Sequence, residues 1–171
     1  MEIATTMLET FNQCCQSNYF YFDIEWLNKL IKNFYEPLPA SEPRASCDTV
    51  CLMLVVFAVA RQFEHLNEMQ DSSLLDTMSD QMPGQELYRL AQIIMPRAIA
   101  IGSLASIQAC LMGAIYLLPS DDRSTAYVYF GIALRMAIAS GMHRTTNTEH
   151  YSPRHLEIRN RVFWTVYLNE R

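Results

Sequence analysis

Residues 50–60 read Val-Cys-Leu-Met-Leu-Val-Val-Phe-Ala-Val-Ala, an unbroken apolar run with no Gly or Pro inside it. As a helix it makes about three turns and shows apolar groups in every direction. Such a surface is buried only when other helices surround it. The run is also well short of the roughly 18 residues that a membrane span needs. The helix carrying it, residues 47–66 by pattern, is therefore expected in the middle of a bundle.

The remaining segments supply the surrounding helices. Residues 5–16 form a first helix, and Asp23 caps a second with Ile24, Leu27, Ile31 and Phe34 at helical spacing. Pro37, Pro39 and Pro43 make residues 36–46 a loop. Residues 67–84 are polar and acidic and are expected to be a flexible loop, with one short helical turn near 74–78. A helix from Gln85 is expected to break or kink at Pro96. Ser103 caps a helix through Ile107, Leu111, Ile115 and Leu118, and the short link 119–123 folds the next helix back antiparallel.

That next helix, 124–140, has Ala126, Ala133, Ala137 and Ser140 along one face beside a bulky stripe of Tyr127, Phe130, Leu134 and Ile138. Gly131 lies mid-helix at a cost of ~1 kcal/mol against alanine, which suits close approach of another backbone. Gly141 is expected as a left-handed cap, with His143 and Arg144 placed to answer the last carbonyls. Ser152 and Pro153 open a final helix in which Glu157 and Arg161 pair at i,i+4. No repeat of fixed period is present. The fold class is all-α, a non-repeating antiparallel bundle of αα-hairpins forming one unit over residues 1–171.

Charge and chemistry narrow the function. The formal charge is −5, six acids and no Lys or Arg occupy residues 64–86, and seven of the thirteen basic residues lie at Arg123 or later. Such a balance argues against direct nucleic-acid binding by this chain. Cys14, Cys15, Cys47, Cys51 and Cys110 fall mainly within apolar helical patterns and read as core thiols in a reducing compartment. The opening Met1-Glu2-Ile3-Ala4 has no basic stretch of the kind that starts a secretory signal. His143, His150 and His155 have no carboxylate at a familiar ligand spacing, and Asp121-Asp122 lacks the third acid of a metal–diphosphate motif and reads as a helix N-cap. Neither a metal site nor a catalytic residue is expected. Two alternatives stay open: an all-helical metal-dependent lyase or synthase, and an inert helical interaction scaffold.

Three segments carry a resemblance. They are residues 103–109 (Ser-Leu-Ala-Ser-Ile-Gln-Ala), residues 129–144, and residues 157–167 followed by Glu170-Arg171. Together they resemble the regulatory middle homology region of fungal zinc binuclear cluster transcription factors, in its N-terminal half. Met142, Asn160, Phe163 and Glu170 depart mildly from the family pattern. The resemblance implies a non-catalytic, nuclear domain that modulates transcription of target genes, while a zinc-containing module absent from this chain reads DNA. It implies no cofactor here, partners among other regions of the factor or co-regulators, room for a small-molecule effector, and compatibility with a homodimer. The family-signature residues are Gln108, Gly131, Arg135, His143, Arg144, Arg159, Arg161, Trp164 and Arg171, expected to be mainly structural with effector or partner contact as the functional reading. The final helix is still apolar where the sequence stops. That predicts a helical unit continuing beyond Arg171, with exposed apolar surface around Trp164 and Leu168 here.

Overall fold

A computed structural model describes residues 2–15, 19–35, 45–71, 82–144 and 151–171. Among the described residues it contains seven helices and no strand: α1 Glu2–Cys15, α2 Ile24–Tyr35, α3 Cys47–Asp71, α4 Gln85–Ile101, α5 Leu104–Leu117, α6 Arg123–Ala139 and α7 Pro153–Glu170. The all-α expectation holds.

The apolar run explains the centre. From Cys51 to Ala60 all α3 side chains but Leu54 are buried, because α1, α4 and α5 pack around the helix. α5 is a second interior helix, buried from Ala105 through Ala114. Gln108 and Ser106 are its polar exceptions, and both are satisfied. Gln108 Nε2 donates to the Tyr21 carbonyl at 2.9 Å, and the Ser106 hydroxyl donates to the Ala98 carbonyl at 2.6 Å. A buried amide or hydroxyl is tolerated in an apolar helix only with such a partner.

α6 lies on α5 through one narrow stripe. Ala126, Ala133 and Ala137 are fully buried, and Phe130 between them is the one large side chain that this helix buries. Of the expected bulky stripe, Tyr127 is 63% exposed and Ile138 is exposed as well, whereas Phe130 is buried and Leu134 is partly buried against the core. The helix ends in a Schellman motif, with Met142 N–H on the Ala137 carbonyl (3.0 Å), Gly141 N–H on the Ile138 carbonyl (2.9 Å), and Gly141 at φ 69°. This is the left-handed cap that the sequence predicts.

Four expectations change. α3 continues to Asp71, so residues 67–71 extend the helix into the expected loop, whereas residues 72–81, including the expected turn at 74–78, lie outside the described residues. Pro96 does not break α4, which runs unbroken from Gln85 to Ile101. Its missing N–H removes only one ladder bond, and its ring lies on the exposed face. Asp122 sits at the N-cap position of α6, yet its carboxylate makes no capping bond to a backbone amide and accepts from the Thr125 hydroxyl at 2.7 Å. Gly131 is not at a close approach: a methyl group there meets nothing within 4 Å. Gly131→Ala should therefore stabilise the chain by about 0.5–1 kcal/mol through helix propensity alone, read as a higher urea midpoint. A loss of stability would restore the close-packing explanation.

Candidate functional site

Three helix starts meet at one groove. Asp23 caps α2, its Oδ1 accepting the amides of Glu25 (3.0 Å) and Trp26 (3.3 Å). Ser103 caps α5 in a capping box, accepting Ser106 N–H at 3.1 Å while Ser106 Oγ accepts Ser103 N–H at 3.2 Å. Ser152 caps α7 through the His155 amide at 3.3 Å, with Pro153 at the first helical position. Between these starts lies a cavity of about 620 Å³ whose walls include Trp26, Lys29, Leu104, Ala105, His155 and Ile158.

Residues 19–23, just before α2, hold the walls in register. The Phe20 carbonyl accepts from the Thr165 hydroxyl of α7 at 2.9 Å, and the Tyr21 carbonyl is the one held by Gln108 of α5. Arg154 ties α7 to α2 directly. Its Nη2 lies 2.7 Å from Asp23 Oδ2 and 2.9 Å from Glu25 Oε2, with Nε at 3.2 Å from the same Asp23 oxygen. Sequence reading missed this residue. The signal was there, because a cation in the first turn of a helix opposes the helix dipole and implies a tertiary partner.

A second buried contact fixes α5 against α3. Asp48, in the first turn of α3, accepts the Ser103 hydroxyl. Burial raises the Asp48 pKa, but hydrogen bonds from Ser103, Ser46 and nearby amides outweigh it and hold the carboxyl below its usual range. At Asp23, burial likewise raises the value and is outweighed by Arg154 and the amides of Trp26 and Glu25. The unfolded chain therefore binds more protons than the folded one when the medium is acid. Stability from these two groups is complete above the ordinary carboxylate pKa of about 3.9 and is lost as pH falls through the lower folded values. Urea midpoints should be level from pH 7 to 5 and fall below pH 4; Asp23→Asn and Asp48→Asn together should flatten that fall.

The signature residues divide by location. Gln108 is buried and lines the groove. Arg159 donates to the Ser140 carbonyl at 2.9 Å and stacks over Tyr151 at 4.7 Å, so it answers the end of α6. The cap role expected of His143 and Arg144 thus falls to Arg159; the Arg144 Nε donates to His143 Nε2 at 3.2 Å, and the His143 ring lies 6.3 Å from Phe163. Arg161 covers Phe20 at 4.3 Å, and its pairing with Glu157 is a loose 4.0 Å between exposed groups, worth little. Gly131, Arg135 and Arg171 line a separate open hollow of about 860 Å³ between α6 and the end of α7. Arg171 stacks over Tyr167 at 5.2 Å. Trp164 is 58% exposed and Leu168 57%, which matches the exposed apolar surface expected at these two residues.

The cysteines pack as core thiols where they are deepest. Burial, with smaller contributions from neighbouring thiols and from Asp48 beside Cys51, pushes Cys51 and Cys110 up to about 12, and their sulfurs lie 3.7 and 4.0 Å from Met95 Sδ. Such thiols are protonated at neutral pH and are poor metal ligands. A zinc binuclear cluster needs six thiolates in two close groups, and this chain's five cysteines do not fit it. Among the described residues no three His, Cys, Asp or Glu side chains gather as a metal-ligating group.

No solved structure matches the chain significantly. An uncharacterized transcriptional regulatory protein of Schizosaccharomyces pombe is 27% identical over 99% of this chain and 21% of its own length. The thiamine repressible genes regulatory protein of the same yeast is 23% identical, again over 99% of the chain and 21% of its own length. The activator of stress genes 1 of Saccharomyces cerevisiae is 31% identical over 92% of the chain and 16% of its length. The chain thus spans about a fifth of these relatives. The family model for the fungal specific transcription factor domain matches residues 8–171, and the chain belongs to that family.

Proposed function

We propose that this chain is the non-catalytic regulatory part of a nuclear fungal transcription factor, with DNA read by a separate zinc-cluster module. The family match over residues 8–171 carries this reading. Three features support it. The formal charge of −5 opposes a grip on phosphates. The arginines at the start of α7 are engaged within the fold, with Arg154, Arg159 and Arg161 each held by a neighbouring side chain or carbonyl. Gln108 is likewise committed to packing, buried with its amide on the Tyr21 carbonyl.

Regulation in this reading works through surfaces, toward other regions of the factor or toward co-regulators. The test is a reporter gene driven through an unrelated DNA-binding module fused to this chain. A change in transcription of several-fold supports the proposal, and an unchanged output from a folded, nuclear fusion contradicts it. The purified chain itself should give no sequence-specific, salt-sensitive shift of duplex DNA. Turnover of a diphosphate substrate with magnesium would instead favour the lyase reading.

A further inference from the structure

α4 buries one side and leaves the other in water. Tyr88, Ala91, Met95 and Ala98 face the bundle and are buried. On the opposite side Ile93 is 76% exposed, more than any other large apolar side chain among the described residues, and Leu90 is 53% exposed. Glu86 and Arg97 lie on that same side, both exposed and, among the described residues, in no ion pair. Glu86, Leu90, Ile93 and Arg97 follow one another at spacings of four, three and four, so they form a single stripe along the helix. That spacing is the seam by which one helix packs lengthwise on another. The order along it is acid, apolar, apolar, base, which matches itself when reversed. In two antiparallel copies related by a two-fold axis between residues 91 and 92, Leu90 faces the other copy's Ile93 and Glu86 faces its Arg97, each contact occurring twice. A parallel pair would set Glu86 against Glu86 and Arg97 against Arg97, and both contacts repel.

We infer that the outer face of α4 is covered by the same face of a second copy of this chain, packed antiparallel. Charge complementarity selects this occupant. A partner helix of uniformly acidic character would meet Glu86, and a uniformly basic one would meet Arg97, whereas the reversed copy answers both. The most exposed aliphatic side chain of the fold then lies in the central rungs, where water is excluded. Arg89, the remaining charge of this face, stands beside the stripe and in this register borders the other copy's Pro96, so no two arginines meet. An interface made along one helix is at the small end of specific contacts, so the dimer forms at roughly tens of micromolar chain. The inference goes beyond the regulatory reading and does not depend on it.

Sedimentation equilibrium of the purified chain from about 2 to 200 µM should show a reversible monomer–dimer equilibrium, with the dimer dominant at the upper end. Ile93→Asp should weaken association by about tenfold or more, since it puts a charge into the central rungs. Glu86→Arg and Arg97→Glu should each weaken it by about fivefold, because each creates two like-charge contacts. The double variant exchanges the two charges and keeps the net charge. It should recover association to within about twofold of the parent, which a merely structural role for either residue would not produce. All three positions are exposed, so helicity and melting of the variants should match the parent, and circular dichroism checks that point. A chain that stays monomeric across the range, a dimer that survives Ile93→Asp, or a double variant no better than the single ones would overturn the inference.

Discussion

Gly84→Ala is expected to remove a large share of the chain's folding free energy. Gly84 stands at the start of α4 with φ +78°, and a methyl group there would lie 2.5 Å from the Ala58 carbonyl oxygen and 2.8 Å from Ala58 Cα. The obstructing atoms are the backbone of the central helix, which cannot rotate away as a side chain could. Left-handed strain costs about 1–2 kcal/mol for a residue with a Cβ. Forcing α3 and α4 apart adds to it, so a total of roughly 3–5 kcal/mol is expected, in the exceptional class for one substitution. Domains of this kind have about 5–15 kcal/mol to lose. Gly102→Ala separates the two contributions. It has the same left-handed conformation, at φ +69°, with nothing within 4 Å of an added methyl, and should cost only the strain. Denaturant melts of the two variants side by side check the argument; equal losses would refute the close crossing at Ala58.

Phe130→Ala should be nearly as damaging, at about 3–5 kcal/mol, because it deletes the one large side chain that α6 buries and leaves four alanines facing α5. Tyr127→Ala, three residues earlier and 63% exposed, should stay within about 0.5 kcal/mol. The contrast separates the buried face of α6 from its outer face. Comparable losses for the two variants would mean that the outer face of α6 is packed too.

Much of this fold is legible without coordinates, for reasons particular to each element. The interior position of α3 follows from an apolar run that has no polar side, and the ends of α5, α6 and α7 follow from Ser103, Gly141 and Ser152 because capping is local chemistry. What is not legible depends on contacts distant in sequence. Arg154 meets Asp23 across 131 positions, and Gly84 meets Ala58 only because α4 folds back along α3. The same limit explains Gly131. A mid-helix glycine suggests a close neighbour, but only the bundle shows that its neighbour is open space. Among the signature residues, sequence singled out Gln108, whereas Lys29, Trp26 and His155 complete the groove from helices whose patterns announce nothing but packing.

The regulatory claim is tested most directly by the tethered reporter, read with both the natural chain and its Gly84→Ala variant at equal nuclear abundance. Several-fold altered transcription from the natural chain, lost in the variant, is the predicted outcome. The same output from both, or none from a natural chain shown to be folded, would contradict the claim that this helical domain regulates transcription.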